Sequence, residues 1–155
     1  MPEQKLQFIT RMFVPLLEPI PADTIGKWGK MNAQQMAEHV AGFFKVSSAK
    51  LNFPLVTPAE HIPKYKEFLL GDKEFRENTK APANVVPEEP MPTRNASMKE
   101  ALEELQAEIN DFVKYFKDNP GSQTTHPVFG ALDFDEWVLL HHKHVVHHLK
   151  QFGLI

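Results

Sequence analysis

The distribution of proline limits the fold of this chain more than any other feature of the sequence. Of the 13 prolines, seven lie between about Asn52 and Asn95, at positions 54, 58, 63, 82, 87, 90 and 92. Proline lacks the backbone N–H that a helix or a central strand requires, so this stretch cannot form one regular element. We expect ordered irregular chain here, apart from a short helix that runs from a capping box at Thr57–Glu60 to roughly Leu70.

The rest of the sequence predicts four helices, because apolar residues recur at helical spacing and no long stretch alternates as a half-buried strand would. The first is expected from Glu3 to Leu17, with Pro15 weakening its last turn. The second should begin after a cap at Asn32 and end near Leu51, and the third should begin after a cap at Ser97 and end at Asn119. The fourth should begin near Asp133. The predicted fold class is therefore all-α: a four-helix bundle with a long proline-rich crossover between the second and third helices, and no strand. A long crossover between the second and third helices is a known topology of four-helix bundles.

Composition excludes several classes of function. A chain of 155 residues has about the size of one domain, which we place over residues 1–155. It has no cysteine, so disulfides and thiolate metal sites are excluded. A net charge of -3 gives no basic field for nucleic acid. No signal peptide or membrane span is visible, so we expect a cytoplasmic protein without nucleic-acid or membrane partners.

Histidines crowd the end of the chain, where the last twenty residues hold five of the eight. In a helix, side chains four residues apart lie on one face, so His144 and His148 can point two imidazoles at one place. His141 shares that sector of the helix, His147 lies at its border and His142 faces away. Histidines near a helix C-terminus also complement the helix dipole, and this second interpretation remains open.

His39 adds a third imidazole from the middle of the second helix, where its neighbours at helical spacing are mostly apolar or small. A single interior histidine is more often a hydrogen-bonded core residue than a ligand. Together with the i,i+4 pair, however, it supplies three nitrogen ligands from two helices. Three ligands leave a coordination position for water or substrate, as in catalytic metal sites.

Other polar residues are weaker candidates. His61 is expected at the surface, and His126, before Pro127, is expected to have a local backbone role. Glu38 is adjacent to His39 and so points about 100° away from it, which makes it a poor ligand. Asp133 and Glu136 are better explained as first-turn residues stabilised by the helix dipole.

Three stretches resemble the DinB-like superfamily, in a branch of unknown function related to the YfiT-like metal-dependent hydrolases: Trp28–His39, His126–Trp137 and His144–Gly153. The resemblance implies a four-helix bundle that holds a divalent transition metal, most often nickel or zinc. It assigns the metal to His39, His144 and His148, with His147 as an additional histidine. His141 is the competitor, either replacing His148 or joining as a fourth ligand.

The implied function is a metal-dependent enzyme that acts on a small-molecule substrate. In hydrolysis, the metal lowers the pKa of bound water; in thiol transfer, the open position binds a small thiol cofactor. The sequence identifies neither a general base nor a basic cluster for the carboxylates of such a cofactor. The alternative is a non-catalytic metal- or ligand-binding helical bundle, for which a homodimer is considered. In a third interpretation, the histidines are hydrogen-bonded in the core and never bind metal.

Overall fold

The computed structural model describes residues 2–79, 86, 87 and 89–155. Pro82 of the proline-rich stretch lies outside the described residues. The described chain is mostly helical and contains a small two-stranded sheet. Helix α1 comprises α-helical Pro2–Gln7, π-helical Phe8–Met12 and α-helical Phe13–Leu17; the other helices are α2 (Ala33–Ser47), α3 (Ile62–Leu70), α4 (Met98–Asp118) and α5 (Phe134–Gln151), and the strands are β1 (Thr124–His126) and β2 (Gly130–Leu132).

The helix starts agree with the capping residues in the sequence. The side chains of Asn32, Ser97 and Asp133 each accept a hydrogen bond from the backbone N–H three residues further on. These bonds satisfy N–H groups that have no partner within the helix. The capping box predicted at Thr57 is wrong. The chain instead forms a 3₁₀ turn at Ala59–His61 without a side-chain cap, and α3 follows it directly.

Helix α1 accommodates Pro15 by widening one turn before it. The backbone N–H of Phe13 donates to the carbonyl of Phe8, five residues back, which is the π-helical pattern. Pro15 has no N–H to offer a carbonyl in the preceding turn. The side-chain amide of Gln106, from α4, donates to the carbonyl of Thr10 at 3.3 Å. A neighbouring helix therefore satisfies a carbonyl in the turn before the proline, and α1 continues to Leu17.

The β1–β2 hairpin contradicts the expectation that the fold contains no strand. The two strands pair antiparallel, with His126 opposite Gly130, and each is only three residues long. Such short strands show no detectable alternation in the sequence. The turn has local causes instead: Gly130 has a φ of +83°, and Nδ1 of His126 accepts the backbone N–H groups of Val128 and Phe129.

The helices enclose one cluster of buried apolar side chains, and the largest of those that are fully buried are Trp137, Phe13, Phe44 and Phe112. Helix α2 packs against α4 and α5, α1 packs against α4 and α5, and α3 packs against α5. The hairpin contacts α2 and α5. A mostly helical fold is thus confirmed. The short helix predicted within the proline-rich stretch is present as α3 and ends at Leu70 as expected. The predicted four-helix bundle is not confirmed, because α3 packs on α5 and the hairpin adds a small sheet to the packing.

Glu38 ties the end of the proline-rich stretch to α2. Its buried carboxylate accepts the backbone N–H groups of Arg94 and Asn95 and the side-chain amides of Asn95 and Gln34. Burial alone would raise the pKa of Glu38, but these donors outweigh it and hold the pKa below its ordinary value. The carboxylate is therefore occupied by structural hydrogen bonds.

Lys143 ties the other part of this stretch to α5. The residue is buried as a whole. Its ammonium group donates to the carbonyl of Gly71 at 2.8 Å and also to that of Lys73, and it lies 4.9 Å from the ring centroid of Phe68. Burial lowers the pKa of Lys143. Because Gly71 follows the last residue of α3, Lys143 binds the C-terminal end of that helix, where carbonyls have no partner within the helix.

In the described part of the chain, no helix has both the length and the apolar character that crossing a membrane requires. The cytoplasmic location stays a prediction.

Candidate metal centre

His39 on α2 meets His144 and His148 on α5 in one cluster of imidazoles. Nε2 of His144 lies 3.1 Å from Nε2 of His39 and 3.0 Å from Nε2 of His148. The nitrogen atoms that the three rings offer all lie within 4.8 Å of one another, so this group can hold a metal ion. His148 is buried, while His39 and His144 are partly exposed. The cluster is thus partly accessible to solvent.

The hydrogen bond at Nδ1 of His148 determines which of its two ring nitrogens carries the hydrogen. Nδ1 of His148 lies 2.7 Å from Oε1 of Gln151, so its N–H donates to this amide oxygen. A neutral imidazole has one N–H and one lone pair. Nε2 of His148 therefore presents its lone pair to the cluster. In metal sites, a bond of this kind from the second ring nitrogen orients the ligand.

Hydrogen bonds between the three rings cannot satisfy both short contacts well. If Nε2 of His144 carries a hydrogen, that one hydrogen must serve His39 and His148 together. If it carries a lone pair, it faces the lone pair of His148 at 3.0 Å. A cation between the rings would be attracted by all three lone pairs at once.

The distances and the protonation states fit a transition-metal ion. Nitrogen ligands of a tetrahedral ion with bonds of about 2.0–2.1 Å lie roughly 3.3–3.4 Å apart, only a few tenths of an ångström more than the two short contacts. Burial, with repulsion from His147, lowers the pKa of His39 to about 4. Burial and repulsion within the cluster also lower the pKa values of His144 and His148 well below the ordinary value. Neutral imidazoles are the form that binds metals.

His141 lies outside this cluster, although the sequence places it in the same sector of the helix. Its ring is stacked on Phe44, with centroids 3.8 Å apart, and on Trp137 at 5.2 Å. Nε2 of His141 lies 2.9 Å from the hydroxyl of Ser47, which itself donates to the carbonyl of Phe44. The Ser47 oxygen therefore accepts the His141 N–H, and His141 is a hydrogen-bonded core residue.

The remaining histidines also have separate surroundings. His126 has the local role expected of it, through the two backbone N–H groups of the hairpin turn. His142 is half-buried and packs edge-on against Phe8, while His61 is exposed. His147 lies beside the cluster, its ring centroid 5.2 Å from that of His148. None of the described carboxylates belongs to the group of three imidazoles.

A cavity of about 400 Å³ lies beside His147, the chain neighbour of His148, and none of the three cluster histidines is among its lining residues. Its lining includes Lys27, Trp28, Glu74, Phe75, Glu77, His147 and Lys150. The ring of His147 packs between those of Trp28 and Phe75, with centroids 5.4 and 6.0 Å away. Lys150 pairs with Glu74 at 2.6 Å. The cavity therefore combines aromatic surface with charges of both signs.

The sequence did not reveal the hydrogen bonds of Gln151 and Glu38, nor the cavity beside His147. Gln151 closes the histidine-rich run, but its bond partner Trp28 lies 123 positions away. The only sequence signal for this contact was that Trp28 and Gln151 both lie in the stretches that carried the family resemblance.

Fold and centre together define a mostly helical protein with a group of three histidines that can hold a metal. The chain belongs to the family described as Protein of unknown function (DUF1569), which it matches over residues 24–153. The resemblance to the DinB-like superfamily is therefore corrected: the family that covers most of the chain is not that one. Neither the curated proteins nor the solved structures give a match.

Proposed function

We propose that the chain is a metal-dependent enzyme whose His39, His144 and His148 bind one divalent transition-metal ion. The observation that carries the proposal is the approach of three neutral ring nitrogens, at 3.0 and 3.1 Å, in an arrangement that hydrogen bonds satisfy poorly. Nitrogen-only ligation suits nickel and zinc, which are the metals we expect. When bound by three imidazoles, such an ion supplies a Lewis acid with an open coordination position.

The cavity beside His147 supports the proposal that the substrate is a small molecule. Its volume of about 400 Å³ lies in the range of small-ligand pockets. Its charges balance, with Lys27 and Lys150 against Glu74 and Glu77, so it offers no strongly cationic site for a carboxylate-rich thiol cofactor. Hydrolysis, which needs only water as the second reactant, is therefore favoured over thiol transfer.

Metal analysis of protein purified without a histidine tag tests the centre. We expect one zinc or nickel ion per chain and a melting temperature that rises on adding either metal, since a ligand that binds only the folded state stabilises it. His39→Ala should abolish the bound metal and the rise. His61→Ala, at an exposed position, is the matched control and should change neither. A wild-type protein without stoichiometric metal and without the rise would refute the centre.

Turnover assays distinguish the proposed enzyme from the alternative, a metal-binding protein without catalytic activity. Zinc- and nickel-loaded protein would be assayed against panels of esters and amides, and against electrophiles with added thiols. The proposal expects hydrolysis that His144→Ala abolishes. Stoichiometric metal with no turnover on any panel would instead favour the binding protein.

A further inference from the structure

We infer that Gln151 is a positioning residue that holds His148 with its hydrogen on Nδ1 and joins the histidine cluster to the wall of the adjacent cavity. The part that concerns metal affinity rests on the proposed function. The part that concerns His148 and the wall rests only on the hydrogen bonds around Gln151.

The bond partners determine the orientation of the Gln151 side chain. Its Nε2 donates to the backbone carbonyl of Trp28 at 2.8 Å. A carbonyl can only accept, so the amide NH₂ must lie on this side and Oε1 must face Nδ1 of His148. Gln151 is 3% exposed, which excludes competition from bulk water. The network thus leaves His148 one favourable form, with hydrogen on Nδ1 and a lone pair on Nε2.

The backbone of Gln151 makes a second connection to the same wall. Its carbonyl accepts the backbone N–H of Lys27 at 2.7 Å. Lys27 and Trp28 both line the cavity. One residue therefore binds a histidine of the cluster through Oε1 and two consecutive wall residues through its other polar groups.

Two glycines give this contact the room it needs. A Cβ atom at Gly26 would lie 2.8 Å from Cγ of Gln151, and one at Gly29 would lie 2.8 Å from its Nε2. Gly29 also has a φ of +78°, a conformation that other residues rarely adopt. The segment of residues 26–29 can approach Gln151 this closely because these two positions lack side chains.

Nitrogen-detected NMR of metal-free protein at neutral pH tests the inference without any metal. The wild-type His148 should show hydrogen on Nδ1, whereas free histidine favours Nε2. Gln151→Met removes the acceptor and should move His148 toward the Nε2 form. Gln151→Glu keeps an acceptor for His148 but loses the donor to Trp28, so it should retain the wild-type form. A Gln151→Met protein whose His148 is unchanged would overturn the inference.

Zinc affinity, measured by competition with a chromophoric chelator, gives the second readout. Gln151→Met should weaken binding about 10–100-fold, the usual effect of losing such an outer hydrogen bond, and Gln151→Glu should restore most of it. Equal affinities in wild type and Gln151→Met would overturn this part. If the wild type binds no zinc, the proposed function fails, while the NMR result still decides the role of Gln151.

A matched pair of glycine variants tests the wall. Gly29 and Gly121 share a φ of +78°, but a Cβ at Gly121 would meet nothing within 4 Å. Gly29→Ala should therefore displace the Gln151 amide and weaken zinc binding. Gly121→Ala carries the same backbone strain and should leave the affinity unchanged. Equal effects of the two variants on zinc affinity would contradict the inference.

Discussion

His141 and His144 lie three residues apart on one helix, yet their partners give them different roles. His141 lies against the flat faces of two aromatic rings and donates to Ser47. His144 meets two other imidazoles, and no hydroxyl among the described residues bonds it. Sequence spacing gives the direction of a side chain but not what the facing helix presents there. This is why the sequence left His141 as a competitor of His148.

The two kinds of histidine should respond oppositely to substitution. His141→Ala removes a buried ring and should lower the free energy of unfolding by about 2–5 kcal/mol, as for other large-to-small core changes, with zinc affinity retained. His39→Ala should abolish zinc binding but cost less stability in the metal-free protein, because it also relieves a poorly satisfied contact. Urea unfolding of metal-free protein and zinc titration measure both effects. Loss of zinc binding in a folded His141→Ala protein would show that His141 takes part in the centre.

Helices were predictable where local signals fix their ends. The side chains of Asn32 and Asp133 each accept a backbone N–H only three residues further along the chain, so α2 and α5 begin where expected. The π-helical turn and the hairpin were not predictable. The first depends on Pro15 together with packing by α4, and the second depends on a turn rather than on periodicity. An element can be predicted from the sequence when the residues that determine it lie within one turn of the chain. It cannot be predicted when it depends on contacts with residues far away in the sequence.

The hydrogen bonds from Glu38 to residues 94 and 95 also depend on residues far apart in the sequence, and a substitution can test them. Glu38→Gln replaces one acceptor by a donor that faces other donors, so at least one buried N–H loses its partner. We expect a loss of about 1–3 kcal/mol in stability and faster hydrogen–deuterium exchange in residues 89–97. Glu60→Gln, at an exposed position, is the control and should have neither effect. Unchanged exchange in residues 89–97 would show that other contacts hold this stretch.

At the scale of the whole molecule, the centre exists only because tertiary packing brings α2 to α5. His39 and His144 are 105 positions apart. The sequence supplied the residue type and the i,i+4 spacing, which sufficed to name the three histidines. It could not show that their nitrogens would converge, nor that Trp28 would support them through Gln151. That the three histidines bind metal stays a prediction until metal is measured.

Buried neutral histidines should make the whole fold sensitive to acid. Burial lowers the pKa of His126 to about 3 from an ordinary value of 6.5, and it also lowers that of His141. Below pH 6.5, the unfolded chain binds protons that the folded chain excludes, so the free energy of unfolding falls as the pH decreases. Between pH 6.5 and 4.5 the loss from His126 alone is about 2–3 kcal/mol.

Urea unfolding at several pH values measures this slope, and His126→Asn is the informative variant. An asparagine oxygen can still accept the N–H groups of Val128 and Phe129, but the side chain does not titrate. The variant should therefore be less stable at pH 7.5 and lose less stability on acidification. Parallel wild-type and variant curves would show that His126 is not a source of the acid sensitivity.

Two parallel rows of side chains run along α5, one position apart. The first row contacts residues 71–75: Lys143 binds carbonyls, His147 packs on Phe75 and Lys150 pairs with Glu74. The second row consists of His144, His148 and Gln151, which face the cluster. Because both rows turn with the same helix, an insertion or deletion within α5 would displace the members of both rows that lie beyond it. If a member of the family keeps only the second residue at positions 143–144, 147–148 and 150–151, we expect it to retain the cluster of imidazoles but to pack a different segment against this side of α5.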